Sequence, residues 1–432
     1  MGSDIKEEAD MQVNLKFDTA LREYVRQKIL EIGPCDILVG IPTYNSEETV
    51  VHVIKNVYEG LHKYYPNLKS VVLISDGGSL DYTRELAQQT KSSHGSPKIV
   101  TIYRGLPGKG TSLRAIFEAG VRLGAKACAV FDSDLKSITP EWVKALLDPV
   151  LTEGYDFVSP WYVRHKYDAT ITNNIAYSLT RALYGKRIRQ PIGGDFGFSR
   201  KLLEFFTQEY VWETDIARFG IDIWMTTIAI NEGFKVCEAY LGAKIHDSKD
   251  PATTLGPMFR QVVGTLFGMM PRYERIWRSV RGSEAVPLLG SPTIVEPPTV
   301  EVSLDKLIDN FKIGFHHFGN LWREVVLPET FSELVNMTQS DGYKLHMPQE
   351  VWVHITYDFA YTYSKWVKDK YKLLEIMTPI YYGRIASFVT ETADMSTKET
   401  EEKVVETQAK LFETEKKYLL KRMGGWESIG LY

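Results

Sequence analysis

The sequence predicts an α/β protein: a doubly wound, mainly parallel sheet followed by an all-helical C-terminal unit. Strand-length apolar runs alternate with amphipathic helical stretches up to about residue 250. Several of these runs stop abruptly in polar turns. The clearest is Ala127-Cys-Ala-Val-Phe-Asp132-Ser-Asp134-Leu135, a buried-strand pattern ending in two carboxylates one residue apart. Beyond residue 250 helical periodicity dominates, rich in aromatics. The expected divisions are an N-terminal helical extension (1–34), the α/β part (35–250) and a mainly helical part (251–432).

Taken in order, residues 11–32 have helical spacing, with Leu21, Tyr24, Val25 and Ile29 as the stripe. Asp36 to Asn45 reads as a buried strand stopped by Pro42, and Ser46-Glu-Glu-Thr49 as the capped start of a helix to about Tyr64. Ser70–Asp76 is a second strand, closed by Gly77-Gly78-Ser79, with a helix from about Leu80. Lys98–Tyr103 is a third strand and Thr111–Leu123 a helix. Thr139-Pro140 opens a helix to about Leu151, because Pro fits the first helical position. Then come a strand at 155–161, a helix at 168–185, a glycine-bearing turn into a strand at 190–200, a helix at 220–231 and a strand at Val236–Gly242. In the helical part Phe259, Phe267, Trp277, Phe311, Phe315, Trp322, Trp352, Tyr361 and Trp366 read as bundle core. Pro287–Pro298 reads as a linker. Residues 396–422 form a charge-laced helix, expected to be solvated or at the bundle edge.

Composition excludes several classes. At 432 residues, 44% hydrophobic and 25% charged, the chain is neither disordered nor fibrous. A formal charge of −4 gives no reason to expect nucleic acid or an anionic membrane, so an anionic substrate needs a local basic pocket. Cys35, Cys128 and Cys237 have no paired spacing and read as buried thiols of a reducing compartment. The acidic start is no secretory signal, and no apolar run approaches ~18 residues, so no membrane span is expected. A soluble cytoplasmic protein is the expectation.

The polar turns carry the chemistry. In an extended segment Asp132 and Asp134 share a face and can reach one hard cation or a cation-bound diphosphate. Gly40-Ile-Pro42-Thr43-Tyr-Asn45 and Asp76-Gly77-Gly78-Ser79 are turns at strand ends that can grip a base or ribose, glycine allowing close backbone approach. Arg104-Gly-Leu-Pro-Gly-Lys109-Gly110 adds a lysine and a helix N-terminus, a combination suited to a diphosphate. It lacks the Walker pattern. His246, following the 236–242 strand, can join a carboxylate and diphosphate oxygens around Mn²⁺ or Mg²⁺; zinc would prefer more nitrogen or sulfur. Each turn alone is ordinary.

Their order is not. Ile41-Pro42…Asn45, Asp76-Gly-Gly-Ser79…Asp81, Pro107-Gly-Lys109-Gly110, Asp132-Ser-Asp134, Gln190-Pro191…Gly194-Asp195 and a late His246 together resemble the retaining GT-A glycosyltransferases that make glucosyl-3-phosphoglycerate and mannosylglycerate. The resemblance spans about residues 35–260 and implies a GT-A-type sheet for the 35–250 part. By it, a nucleoside-diphosphate hexose (GDP or UDP) would meet Pro42, Thr43, Asn45, Asp76, Gly77, Lys109 and Asp132. Asp134 and His246 would hold Mg²⁺ or Mn²⁺, and Asp195, Asp222 and Lys109 would surround the reacting centre. Arg164-x3-Asp168-Ala-x-Ile-Thr172 and Gly220-Ile-Asp222 are similar to the mannosylglycerate pattern, with Phe219 where that pattern has Trp. They imply Arg164, Asp168 and Thr172 as the acceptor grip. The Gly-Arg-x-Thr phosphate grip of the phosphoglycerate enzymes is absent, so D-glycerate is the preferred acceptor.

The expected activity is therefore metal-dependent, retaining hexosyl transfer, glucose before mannose, to the 2-hydroxyl of D-glycerate. Mannosyl transfer to glycerate or glucosylglycerate, and glucosyl transfer to 3-phosphoglycerate, stand as alternatives. So does a catalytically dead nucleotide-sugar-binding regulator. The helical part is expected to pack on the α/β part, and a homodimer through it is left open.

Overall fold

The computed structural model describes residues 18–92, 95–246, 251–291, 296–339 and 345–424. Apolar, β-branched runs form strands buried along their whole length, as in β1 (Ile37–Thr43), β2 (Ser70–Asp76) and β4 (Ala127–Val130). Between them lie α1 (Glu23–Ile32), α2 (Val50–Tyr64), α3 (Thr83–Gln89), β3 (Lys98–Ile102), α4 (Lys109–Arg122), α5 (Pro140–Thr152) and β5 (Phe157–Val163). A π-helical turn, Thr172–Ala176, leads into α6 (Tyr177–Tyr184), then β6 (Lys186–Arg187), β7 (Phe196–Ser199), α7 (Arg200–Gln208), α8 (Ile221–Asn231) and β8 (Val236–Ala243).

The helical part comprises α9 (Pro251–Met269), α10 (Glu274–Ser279), α11 (Leu304–Val325), α12 (Pro328–Gln339), α13 (Gln349–Lys365) and α14 (Lys370–Glu391). It ends in α15 (Thr397–Thr400), a second π turn (Glu401–Val405), α16 (Glu406–Thr414) and α17 (Lys416–Arg422). Short β9 (Glu284–Ala285) pairs with β6, and β10 (Leu288–Leu289) adds to the large sheet.

That sheet has eight strands in the order β10-β8-β5-β7-β4-β1-β2-β3. All its pairings are parallel except those of β7, which runs antiparallel between β4 and β5. This is a mostly parallel, GT-A-like sheet with flanking helices. The inverted strand positions the site. Parallel strands end at one edge, and an antiparallel strand begins there, so the residue before Phe196 meets the residues after Val130.

One face is covered by α2 and α5, where Val53, Ile54, Val57, Trp142, Val143 and Leu146 pack on Ile37, Val39, Val72 and Ala129. The other face packs on α4, α7 and α8, and its apolar cluster continues without a break into α9, α11, α13 and α14. The aromatics Phe259, Phe267, Trp277, Phe311, Trp322 and Trp352 are buried in it, while Phe315, Tyr361 and Trp366 pack against it. All three cysteines are buried and free. Among the described residues no helix is long and apolar enough to cross a membrane.

Several sequence expectations change. β1 runs through Pro42 instead of stopping there, in register with Ser75 of β2. The Gly40 carbonyl bonds towards β4 at Phe131, so position 42 faces the same way, beyond the last β1–β4 pair at Gly40–Val130. Pro42 therefore forfeits no ladder bond. β4 stops at Val130, and Asp132-Ser-Asp134 is a loop and turn, so the shared-face argument from an extended strand does not hold. The first helix begins at Glu23 with Tyr24 exposed; residues 1–17 lie outside the described set. The linker contributes β10, its residues 292–295 again outside that set. The charge-laced 396–422 segment breaks into three short helices around a π turn, and much of its charge pairs inwards, Glu406 and Glu413 with Arg181, and Glu401 with Arg189.

Candidate active site

At the shared strand edge, Asp132 leaves β4, Asp195 enters β7, Lys109 begins α4, Asp222 sits in the first turn of α8 and Lys244 follows β8. Lys109 Nζ lies 2.8 Å from Asp132 Oδ1 and 3.4 Å from Asp222 Oδ2. Lys244 Nζ lies 3.1 Å from Asp132 Oδ2 and 2.9 Å from Asp195 Oδ2, and donates to the Gly193 carbonyl at 2.8 Å. The Asp132 amide donates to Asp195 Oδ1 at 2.8 Å, and the Tyr162 hydroxyl donates to Asp195 Oδ2. Three carboxylates thus share two ammonium groups.

The charges are unequal. Burial opposes ionisation of Asp132, but Lys109 and Lys244 outweigh it and hold the carboxyl below its ordinary range. Burial prevails at Asp195 and Asp222 and raises both, with Asp132 adding repulsion. Asp222 Oδ1 is buried without a hydrogen-bond partner. Gly194 makes the packing feasible: its φ is +91°, and a Cβ there would sit 2.1 Å from Asp132 Oδ2.

Beside this centre lies a second cluster. Arg164 Nε donates to Asp168 Oδ2 at 2.8 Å, and His246 Nε2 lies 3.2 Å from both Asp168 Oδ2 and Arg164 Nη2. Burial opposes the Asp168 charge, but Arg164 and His246 hold its carboxyl well below the usual range. The acid of the expected acceptor grip is therefore already paired with its arginine and with the expected metal-binding histidine.

The fold brings together Lys109, Asp132, Asp195 and Asp222, and separately Arg164, Asp168 and His246. The other expected site residues are engaged within the fold. Asp76 is fully buried and accepts from Thr43 Oγ1 (2.8 Å), the Gly78 and Ser79 amides (each 2.8 Å) and Ser79 Oγ (2.6 Å). It organises the loop and presents no surface to a base. Thr43 is spent on that bond, and Pro42 is buried in β1. Asn45, at φ 48°, is exposed but ties two loops together, accepting the Leu80 amide at 2.9 Å. The Gly77 amide bonds the Thr43 carbonyl at 2.8 Å. Thr172 is 1% exposed in the π turn.

The α4 N-terminus is also less free than its sequence suggests, because the Gly110 amide donates to the Arg218 carbonyl and the Gly108 amide to Tyr103 Oη. Lys109 is left as the cationic element of that turn. Asp134 is half-buried in the turn after Asp132, while Ser133 between them is fixed by Ser46 Oγ at 2.8 Å.

Sequence reasoning missed Lys244 and Tyr162. The one available signal for Lys244 was a lysine two residues before His246 at the end of an apolar strand. Nothing local marked Tyr162, which points from β5 to a residue 33 positions away.

Residues 38–206 match the family model described as Glycosyl transferase family 2. The match takes in Lys109, Asp132, Asp134, Arg164, Asp168 and Asp195 and ends before Asp222, Lys244 and His246. Glycosyltransferase AglJ of Haloferax volcanii is 35% identical over 125 residues, 29% of this chain and 35% of that protein. The chain thus spans about a third of the length of this curated relative. Solved structures of glucosyl-3-phosphoglycerate synthase from Mycobacterium tuberculosis are similar at low identity. The complex with Mn²⁺, UDP and phosphoglyceric acid is 24% identical with a TM-score of 0.42, covering 56% of this chain and 81% of that one. The complex with Mg²⁺ and UDP is 24% identical with a TM-score of 0.42, covering 58% and 84%. The α/β half thus combines a mostly parallel sheet with a match to the glycosyl transferase family 2 model over residues 38–206.

Proposed function

We propose that the chain is a retaining hexosyltransferase that moves a hexose, glucose before mannose, from a GDP- or UDP-sugar to the 2-hydroxyl of D-glycerate. The observation that carries the reading is the lysine–carboxylate centre at the strand edge with the Arg164–Asp168–His246 cluster beside it. Lys109 offers positive charge where a leaving diphosphate develops negative charge. The Arg164 fork suits a carboxylate. In the transfer, the bond from the sugar's anomeric carbon to the diphosphate oxygen breaks and a bond to the glycerate oxygen forms on the same face. The hydroxyl proton passes to the departing phosphate oxygen. Asp195 and Asp222 orient the sugar and the acceptor; no covalent sugar–carboxylate intermediate is invoked.

Asp134 and His246 fit a Mg²⁺ or Mn²⁺ ion in donor chemistry, one carboxylate and one imidazole, with phosphate oxygens and water completing the shell. Asp132 is taken up by two lysines and is the poorer ligand. His246 Nε2 is engaged by Arg164 and Asp168, so coordination through that atom requires this contact to open. Bound there, the ion would supply Lewis-acid neutralisation of the diphosphate.

The test is a matrix of GDP- and UDP-sugars against glycerate, 3-phosphoglycerate and glucosylglycerate, with Mg²⁺ or Mn²⁺, run on the wild type and on Arg164→Ala. Glycerate should be a better acceptor than 3-phosphoglycerate, and Arg164→Ala should raise its KM at least ~10-fold, the scale of one lost charge-assisted bond, with the donor KM little changed. Turnover with 3-phosphoglycerate alone would reverse the acceptor assignment.

A further inference from the structure

On the helical side of β5 lies a cavity of about 230 Å³ that borders the transfer site at Tyr162 and Arg164. Its walls are Trp161 and Val163 of β5, the loop carrying Arg164 to Ala169, the strand-entry residues Arg189 and Gln190, and the C-terminal segment Thr397–Val405. Each of the two helical walls includes a π turn, Thr172–Ala176 and Glu401–Val405. Such turns are frequent at functional sites and cost regular helix hydrogen bonding.

Three lining residues carry a buried polar atom without a hydrogen-bond partner: the donor Arg189 Nη1, the acceptor Gln190 Oε1 and the hydroxyl Thr400 Oγ1. These three atoms lie behind the cavity surface; the polar groups that line it include Arg164, Lys166, Asn173, Thr397 and Glu402. Arg189 stiffens this wall, its other nitrogens bonded to Glu401 and, at 2.7 Å, to Asn173 Oδ1. Against these polar groups stand Trp161, Val163, Ala169 and Val405. An aromatic and aliphatic lining that also holds charged, amide and hydroxyl side chains matches a pyranose ring, whose faces carry C–H groups and whose rim carries hydroxyls. The volume is below the ~300 Å³ at which pockets for drug-sized ligands begin, so it admits one ring.

We propose that this cavity is a sugar subsite that takes the pyranose ring of a glycoside. It adjoins the acceptor cluster through Arg164, which lines the cavity and pairs with Asp168. On the proposed glycerate reading, the subsite lets the enzyme accept, besides free glycerate, a glycerate unit that already carries a hexose.

The test is saturation-transfer NMR on the full chain with methyl α-D-glucopyranoside and methyl α-D-mannopyranoside, with no donor sugar present. Wild-type protein should saturate the ring protons of at least one of them. Thr397→Trp, which plugs the cavity from its half-exposed rim, and Trp161→Ala, which removes the platform, should each weaken that binding about tenfold, the scale of one lost aromatic contact. Glycerate kinetics should stay within about twofold, since neither residue touches the transfer centre. Absence of saturation, or saturation unchanged in both variants, overturns the proposal, the cavity then holding water only. The two readings fail separately. Transfer to glycerate without pyranoside binding removes the subsite alone, whereas variant-sensitive pyranoside binding without any transfer keeps the subsite and removes the hexosyltransferase assignment.

Discussion

Lys244 shows how one side chain sets the electrostatics of the centre. Its ammonium is buried between Asp132 and Asp195, and burial opposes its charge while Asp195 and Asp132 favour it enough to raise its pKa. Replacing it with methionine keeps the length and leaves two adjacent buried carboxylates facing each other. Breaking one side of a buried ion pair costs about 3–5 kcal/mol, so Lys244→Met should lose stability on that scale in urea unfolding. Adding Asp195→Asn removes the uncompensated acid and should recover at least ~1 kcal/mol, the size of coupling expected between contacting groups. Strict additivity of the two changes would show that the 2.9 Å contact has no energetic meaning.

At the scale of elements, strands and their ends were legible because buried parallel strands read as apolar runs and stop at turn residues. Ser70–Asp76 keeps its expected limits, and Lys109, Asp132, Asp195 and Asp222 meet because four turns project from one edge. The direction of β7 was not legible, since a four-residue strand has the same alternation either way round. The burial of Asp76 was not legible because a buried, saturated carboxylate and an open one share the sequence Asp-Gly-Gly-Ser; the difference lies in Thr43, 33 residues away. The π turns left no trace in helical periodicity. Gly110 tests how tightly an element end is placed. A Cβ there would lie 1.8 Å from the Ile216 carbonyl oxygen, a backbone atom that cannot swing aside. Gly110→Ala should therefore push the start of α4, and Lys109 with it, away from the 215–218 turn, costing about 1–3 kcal/mol by overpacking. Turnover should fall further than the melting temperature predicts. A variant with wild-type kcat and Tm would mean that the turn yields freely.

For the whole molecule, we propose that the boundary near residue 250 divides the sequence but not the folding unit. The apolar cluster on one face of the sheet is continuous from Leu38, Leu113 and Phe198 through Trp224 to Phe259, Trp352 and Tyr381. Polar straps run the same way. Gln408 Nε2 donates to the Asn173 carbonyl at 2.9 Å, Trp352 Nε1 to the Asn174 carbonyl at 2.6 Å, and Lys416 Nζ to the Ala182 and Trp277 carbonyls at 2.9 and 3.0 Å. Separate domains in one chain share smaller and more polar contacts, and each keeps its own core. Calorimetry of the full chain should accordingly show one cooperative transition with calorimetric and van't Hoff enthalpies in agreement. A fragment ending at residue 250 strips the cover from Trp224, Ile223 and Leu179 and should be insoluble or bind hydrophobic dyes as a loosely packed state. Two resolved transitions, with the lower one abolished in a soluble, active 35–250 fragment, would instead establish the helical part as a separable domain. The walls of the 230 Å³ cavity would then come from two independently folding bodies.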